Sequence, residues 1–345
     1  MKFLLILSLL FAISTANSQT GGLSTFQFLD LPNSARVASL GGNIIASGDN
    51  DANLVYHNPS LLSSEMNKHL VLNYINYFSD INFGYVSYSY HHQKYGSFGI
   101  GLHYINYGDF MRMDETEQYL GNFSAYEQSL NLTWAKPLDS LFRLGGAMKI
   151  IYSSLDSYYS SGVAFDFGAS YYNPDRNLAA GIVIKNLGTQ FKPYVDGNYE
   201  PIQPDIQIGI AKRLKHAPFR FFITAQNLLN WNMVFSATGE SNVDPVSGEA
   251  KKENKIEKAA DNFMRHFIAG SELILSENFF IRFGYNYQRR QELKISTRAF
   301  TVGFSWGFGL RINKFHFSYG RATYHLAGPS NHFSLSTNLS EFIRK

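Results

Sequence analysis

The chain has 345 residues, no cysteine, a net charge of +3 and only 17% charged residues. The lack of cysteine excludes disulfides, thiolate metal sites and a lipoprotein anchor, and the few scattered basic residues give no indication of nucleic-acid binding. Aromatic residues make up 16% of the chain, a density typical of a membrane β-barrel with aromatic girdles. A soluble all-β domain is the alternative.

The first 18 residues have the pattern of an export signal. Lys2 gives a positive start, residues 3–13 are apolar, and small residues precede Gln19. The apolar run is too short to cross a bilayer as a helix. The sequence therefore predicts three parts: a cleaved signal peptide over 1–18, an N-terminal plug segment over 19–67 and an outer-membrane barrel over 68–345.

The segment before the barrel carries two short helix signals instead of strand alternation. Asn33 or Ser34 can cap the first helix, and Gly41 suits a left-handed stop at its end. Asn58 can cap the second helix, with Pro59 in its first turn. Helices this short cannot span a bilayer, so we expect them to fold into the barrel lumen as a plug. The residues that carry these signals are Pro32, Ser34, Ala35, Arg36, Gly41, Gly42, Asn58 and Pro59.

From residue 68 onward, apolar and small polar residues alternate with the period of two that places them on opposite faces of a strand. In the clearest example, Phe300, Val302, Phe304, Trp306, Phe308 and Leu310 share one parity and Thr301, Gly303, Ser305, Gly307, Gly309 and Arg311 the other. The sequence predicts an all-β fold, a transmembrane barrel of about 14 antiparallel strands: 69–78, 81–92, 96–108, 124–135, 142–153, 161–172, 177–188, 204–214, 218–228, 265–275, 278–288, 298–312, 315–323 and 331–339.

The lengths of the predicted connections support the barrel over a sandwich. The second, fourth and later even connections are short, as periplasmic turns are, whereas the odd ones are mostly longer, as extracellular loops are. The predicted longer connections are 109–123, 154–160, 189–203, 229–264, 289–297 and 324–330. A sandwich has no reason to sort its loops in this way.

The longest connection, 229–264, is the most hydrophilic part of the chain. Two interpretations stay open: a mobile surface loop, or an arm that docks a partner at the cell surface. The candidate partner-binding residues are Lys251, Lys252, Glu253, Lys255, Glu257 and Lys258.

Two features concern the lumen. A charge inside a narrow barrel needs a partner, so we expect charges at polar-face or strand-end positions, such as Arg282, Lys149 and Lys185, to pair with plug carboxylates or to anchor at the interface. We also hypothesise that Arg36 of the plug pairs with an inward carboxylate such as Asp166. Small inward faces, such as Gly99 and Gly101 or Gly303, Gly307 and Gly309, either let the plug approach the wall or mark a lateral opening for a hydrophobic solute.

The sequence gives no indication of catalysis. A Gly-x-Ser-x-Gly pattern occurs at 303–307, but a hydrolase needs it at a strand-to-helix turn and here it lies in an alternating strand. We therefore expect no enzyme, no cofactor and no metal site.

The runs 28–42 (FLDLPNSARVASLGG) and 51–61 (DANLVYHNPSL) resemble the N-terminal signature of the PorV/PorQ family, and their sequence is more similar to PorQ than to PorV. These are outer-membrane barrels of the type IX secretion system of Bacteroidetes, related to FadL-type fatty-acid transporters. The second run lacks the Gly that FadL-type barrels carry after Asn-Pro-Ala, which weakens the analogy with a transporter.

The resemblance implies a fourteen-stranded barrel in the outer membrane and a role in protein export. Its implied partners are membrane lipid, a PorZ-like surface protein, a PorU-like sortase and a PorV-like barrel. Together these attach secreted cargo to lipopolysaccharide, and a PorQ-like member would anchor the PorZ-like protein. The alternative is a FadL-like passive transporter of hydrophobic solutes.

Overall fold

The computed structural model describes residues 24–233, 255–293, 302–326 and 328–342, so the predicted signal peptide lies outside the described residues. Fourteen antiparallel strands form a closed barrel in which each strand pairs with its neighbours in sequence and the first pairs with the last. The strands are β1 (His69–Asn76), β2 (Asn82–His92), β3 (Gly96–Met113), β4 (Tyr119–Pro137), β5 (Phe142–Leu155), β6 (Tyr158–Asn173), β7 (Leu178–Lys192), β8 (Asp205–Arg213), β9 (Phe219–Ala225), β10 (Phe267–Ser276), β11 (Phe279–Asn286), β12 (Phe304–Ile312), β13 (Phe315–His325) and β14 (Gly328–Asn338).

The predicted alternation sorts the side chains of the wall. On β3, Phe98 and Ile100 are exposed on the outside of the barrel, whereas Ser97 and His103 are buried in the lumen. Tyr104, Tyr126 and Tyr152 form a stepped row on the outside, with 6.2 Å between neighbouring ring centroids, as in the aromatic girdle of a membrane barrel. The predicted all-β barrel of fourteen strands is confirmed.

One strand starts later than predicted. The segment 298–312 was expected to alternate throughout, but β12 begins at Phe304 and residues 298–301 lie outside the described residues. Val302 and Gly303 form a turn, because Gly303 takes a φ of +84° that most residues avoid. Val302 is consequently buried, with 2% of its surface exposed, instead of sharing the outer face with Phe304.

The two ends of the barrel differ. The turn end carries short connections such as 93–95, 277–278 and 313–314, and the loop end carries the connections 193–204, 226–266 and 287–303. The prediction of long loops at 109–123 and 154–160 was wrong, because β3, β4, β5 and β6 extend into them and leave short turns.

The wall is uneven in height at the loop end. Strands β3 and β4 have 18 and 19 residues, whereas β8, β9, β10 and β11 have 9, 7, 10 and 8. A tilted strand needs about 9–11 residues to cross a bilayer. One side of the barrel therefore stands well above the other.

Within the described ranges, three α-helices and several 3₁₀ turns accompany the barrel: α1 (Ala35–Ser39), α2 (Lys255–Arg265) and α3 (Tyr287–Leu293), with 3₁₀ turns at Gln27–Asp30, Ala52–Tyr56, Pro59–Leu61, Ser64–Met66 and Leu339–Glu341. Helix α2 lies in the segment 229–264 that was predicted to be entirely loop. Helix α3 replaces the predicted end of the eleventh strand. None of the described helices has the length and apolar character needed to cross a membrane.

Candidate functional site

The plug forms from the two helix signals seen in the sequence. Ser34 is the residue that caps α1, since its hydroxyl accepts a hydrogen bond from the Val37 amide at 3.4 Å. Gly41 ends the helix with a φ of +103°, and the Gly42 amide donates to the Val37 carbonyl at 2.9 Å. These contacts all lie within residues 34–42 and do not involve the barrel wall.

The second signal forms a single 3₁₀ turn instead of a longer helix. The Asn58 side chain accepts a hydrogen bond from the Ser60 amide at 3.1 Å, and Pro59 occupies the first position of the turn. The Asn58 amide group also donates to the Ile45 carbonyl at 2.8 Å, which joins two stretches of the plug. Asn58, Pro59 and Ser60 are all buried in the lumen.

Small residues let the plug backbone touch the wall. A Cβ atom added at Gly145 of β5 would lie 2.5 Å from the Ser60 nitrogen, and one at Gly284 of β11 would lie 2.2 Å from the Gly41 nitrogen. Of the inward glycines singled out in the sequence, Gly307 approaches the plug most closely, at 2.7 Å from the Ser39 Cβ. Gly309 instead makes room for the guanidinium of Arg282. Close contact with the plug therefore accounts for Gly307.

Arg36 lies in a group of six charges, three of them fully buried and three partly exposed, that we call the arginine cluster. Its guanidinium is 2.6 Å from Asp49 and 3.0 Å from Asp51 of the plug, and 3.4 Å from Glu272 of β10. Glu272 is the centre of the group, because it also lies 3.0 Å from Arg220 of β9 and 2.8 Å from Arg282 of β11. The members are Arg36, Asp49, Asp51, Arg220, Glu272 and Arg282, three cations and three anions.

Arg36 does pair with an inward carboxylate of the wall, Glu272, but the example given for that partner, Asp166, was wrong. Helix α1 packs against β11 to β14, whereas Asp166 lies on β6, where Lys149 of the adjacent β5 is 2.6 Å away. Both members of this second pair are almost fully buried. Close by, Lys185 of β7 is 3.6 Å from Asp30 of the plug. Each cation is therefore neutralised by the carboxylate on its own side of the lumen.

The cluster sets the protonation of the plug residues. Burial alone would lower the pKa of Arg36, but the carboxylates of Asp49, Glu272 and Asp51 raise it well above its ordinary value. Burial alone would raise the pKa of Asp49, yet the Arg36 and Arg220 guanidiniums hold it well below its ordinary value. All three plug residues of the cluster therefore stay charged at neutral pH.

Sequence analysis missed four members of this cluster: Asp49, Asp51, Arg220 and Glu272. A signal was available for Glu272, because it shares its strand parity with Gly270 and has the opposite parity to Phe267 and Leu273, which places it on the lumen side of an apolar-out strand. Asp49 and Asp51 carried no such signal, because the plug does not alternate.

Above the cluster, towards the loop end, the plug buries an apolar layer. Phe26, Phe28 and Leu29 pack against Phe83 and Ile105 of the wall. Beside this layer a cavity of about 290 Å³ opens at the loop end. Polar side chains dominate its lining and include Asp30, Asn186, Gln203, Asn227 and Gln288. The described cavity is thus suited to water and polar groups more than to a hydrocarbon.

The tall side of the barrel ends in a two-stranded ribbon formed by residues 109–124. Strand β2 pairs with β3 only as far as Asn106, and beyond it the described residues of β3 pair with β4 alone. Apolar side chains are exposed on this ribbon, including Phe110 at 41% and Met111 at 68%. Phe110 and Phe123 stack with 5.2 Å between ring centroids.

The candidate partner-binding residues are split by the structure. Lys251, Lys252 and Glu253 lie outside the described residues, whereas Lys255, Glu257 and Lys258 are exposed on α2 at the loop end. Partner binding by this set stays a prediction.

Comparison with solved structures defines the class of fold. The chain resembles the toluene transporter TbuX of Ralstonia pickettii with a TM-score of 0.52 and 12% identity over 90% of this chain and 99% of that one. The toluene transporter TodX of Pseudomonas putida gives a TM-score of 0.52 and 12% identity over 90% and 98%. A Pseudomonas aeruginosa FadL homologue gives 0.45 and 11% over 89% and 98%.

The fold is therefore a closed fourteen-stranded barrel of the kind seen in TbuX and TodX, here with a short helical plug. No family model matches the chain, and no curated protein sequence matches it either.

Proposed function

We propose that the protein is a non-enzymatic outer-membrane barrel that anchors a surface partner within the type IX secretion attachment complex. The observation that carries the proposal is the filled lumen. Residues 24–67 occupy it, and ion pairs between Arg36 and Glu272 of β10 and between Asp30 and Lys185 of β7 fasten the plug to two places on the wall. A lumen that is filled and fastened in this way supports a role carried by the outer surface of the barrel.

The outer wall supports a place in the membrane. Exposed Leu, Ile and Phe side chains form its outer face while charged and polar side chains face inward, which is the arrangement of an outer-membrane barrel. Such barrels carry their longer loops outside the cell. The loop end then faces the exterior, and the ribbon 109–124 is its tallest part.

The identity of the partner rests on the sequence resemblance to the PorV/PorQ family. A PorZ-like surface protein, working with a PorU-like sortase and a PorV-like barrel, would dock at the loop end. The ribbon offers it free strand edges and exposed apolar side chains, the features that favour pairing with an added strand.

A tagged pull-down from detergent-extracted outer membranes tests the proposal. The wild-type barrel should recover the PorZ-like protein in stoichiometric amount. A variant in which a two-residue turn replaces residues 109–123 should recover at least tenfold less. A matched variant tests the charged part of the connection 229–264 separately. It carries alanine in place of Lys251, Lys252, Lys255 and Lys258.

The second candidate is a passive transporter of hydrophobic solutes, favoured by the fold shared with two proteins described as toluene transporters. The charged lumen and the polar cavity argue against it. Mass spectrometry of lipids and solutes in the pull-down separates the two: a barrel recovered alone with one bound hydrophobic compound would favour transport and overturn the anchoring role.

A further inference from the structure

Helix α2 exposes an apolar face. At 100° per residue, Ile256, Phe263 and Met264 fall on one side of the helix. None of the described residues of α2 is buried, and these three are exposed by 80%, 47% and 44% respectively. A helix at the surface of a water-soluble domain has the opposite arrangement, with its apolar side inward.

The polar face of α2 is the one that holds it to the barrel. Asp261 accepts a hydrogen bond from the Tyr287 hydroxyl of α3 at 2.8 Å. The Asn262 side chain accepts from the Met233 amide at 2.7 Å. These contacts fix the orientation of the helix and leave its apolar side turned outward.

Helix α2 lies beside the shortest described strand of the barrel. Strand β9 has 7 residues, fewer than the roughly 9–11 that a tilted strand needs to cross a bilayer, and its last residue, Ala225, pairs with Phe267 at the start of β10. Helix α2 ends at Arg265, two residues before β10 begins at Phe267. The helix therefore lies at the height where this side of the wall falls short of the membrane surface.

The apolar surface of the wall continues onto the helix. Phe267 alternates with the buried Ile268 and so faces outward on β10, and its ring lies 4.9 Å from that of Phe263. Trp231 joins the same group, with its ring 6.2 Å from Phe263 and 56% of its surface exposed. Ile223 on β9 extends the band downward.

We propose that α2 lies in the interface of the outer leaflet and completes the lipid-facing band where β9 is too short to do so. Ile256, Phe263 and Met264 contact the acyl chains, and the polar face contacts the loop end of the barrel. This inference rests on the membrane location proposed above. It leaves the ribbon 109–124, on the opposite side, as the part that stands clear of the membrane.

The chain contains no cysteine, so single-cysteine variants test this directly. Ile256→Cys places a polarity-sensitive fluorophore on the apolar face, and Lys258→Cys, two residues and about 200° further round the helix, is its matched control. Ile223→Cys marks the lipid-facing wall. Each variant is reconstituted in phosphatidylcholine vesicles and exposed to nitroxide-labelled lipid or to aqueous iodide.

We expect the label at Ile256→Cys to be quenched by nitroxide lipid as strongly as the label at Ile223→Cys, and to be at least threefold less sensitive to iodide than the label at Lys258→Cys. Equal iodide sensitivity at positions 256 and 258, with the wall label still quenched by lipid, would overturn the inference and leave the membrane location standing. Failure of lipid quenching at position 223 as well would overturn both. Phe263→Cys provides a second reporter on the apolar face, and the mobility of unheated samples in gels verifies that each barrel is folded.

Discussion

Removing the central carboxylate of the arginine cluster should loosen the plug. Glu272→Gln leaves three buried guanidiniums facing two carboxylates. At 3.4 Å, with an effective dielectric constant of about 20, the attraction between Arg36 and Glu272 alone is about 5 kcal/mol before desolvation is subtracted. Because breaking a buried pair leaves a charge uncompensated, we expect a net loss of about 3–5 kcal/mol of unfolding free energy.

The measurement is a urea titration of the barrel in phospholipid vesicles, with the free energy extrapolated linearly to water. Glu277→Gln, the same substitution in an exposed turn, is the control and should change the free energy by less than about 0.5 kcal/mol.

A double-mutant cycle makes the test specific to charge balance. Arg36→Met removes one cation, so the double variant with Glu272→Gln again has equal numbers of cations and anions. We expect the double variant to be more stable than the sum of the single effects predicts, by about 1–3 kcal/mol. Additive effects, or a Glu272→Gln variant as stable as the wild type, would refute the reasoning.

Three further results should follow. Gly145→Val should destabilise the barrel by about 1–3 kcal/mol, measured by thermal gel shift, because the added Cβ would overlap the plug backbone. Gly146→Val should have little effect, because no atom lies nearer than 3.7 Å to its added Cβ. Equal effects of the two substitutions would contradict this explanation. Lys149→Met should cost about 3–5 kcal/mol, because it strands a buried carboxylate at Asp166, and adding Asp166→Asn should recover part of that loss. Burial opposes the charged form of Asp49, but Arg36 and Arg220 lower its pKa in the folded protein below the pKa of about 3.9 that an aspartate has in the unfolded chain. The resulting contribution to stability is complete above about pH 3.9 and is lost only as the pH falls through the lower pKa of the folded state. The conductance of the barrel in planar bilayers should therefore be the same at pH 7 and pH 5 and should rise only below about pH 4. An increase between pH 7 and pH 5 would contradict the conclusion that the arginine cluster holds the plug in place.

The strands and the plug caps were predictable because both follow from short-range rules. Period-two alternation places Ile100 outside and His103 inside whatever the neighbouring strands do. Likewise, Ser34 and Gly41 define the ends of α1 through bonds to residues a few positions away. The fourteen strands and the short helical plug could therefore be derived from the sequence.

The partners inside the lumen could not be derived, because they depend on which wall each part of the plug meets. Arg36 is positioned by the contact of α1 with β11 to β14, and so meets Glu272 and not Asp166. The start of β12 moved for a similar reason: alternation continues through Val302, but the turn at Gly303 is fixed by its contacts, including the bond from the Asn286 amide to its carbonyl at 2.8 Å.

The sequence by itself determined the class of the protein, since alternation, aromatic content and the two plug signals are all local properties. Only the tertiary structure decided how the lumen charges pair, how high each side of the wall stands, and that α2 turns its apolar face outward. Those features depend on strand register and on contacts between residues far apart in the chain, such as Arg36 and Glu272, which are 236 positions apart. Local sequence patterns do not reveal such contacts.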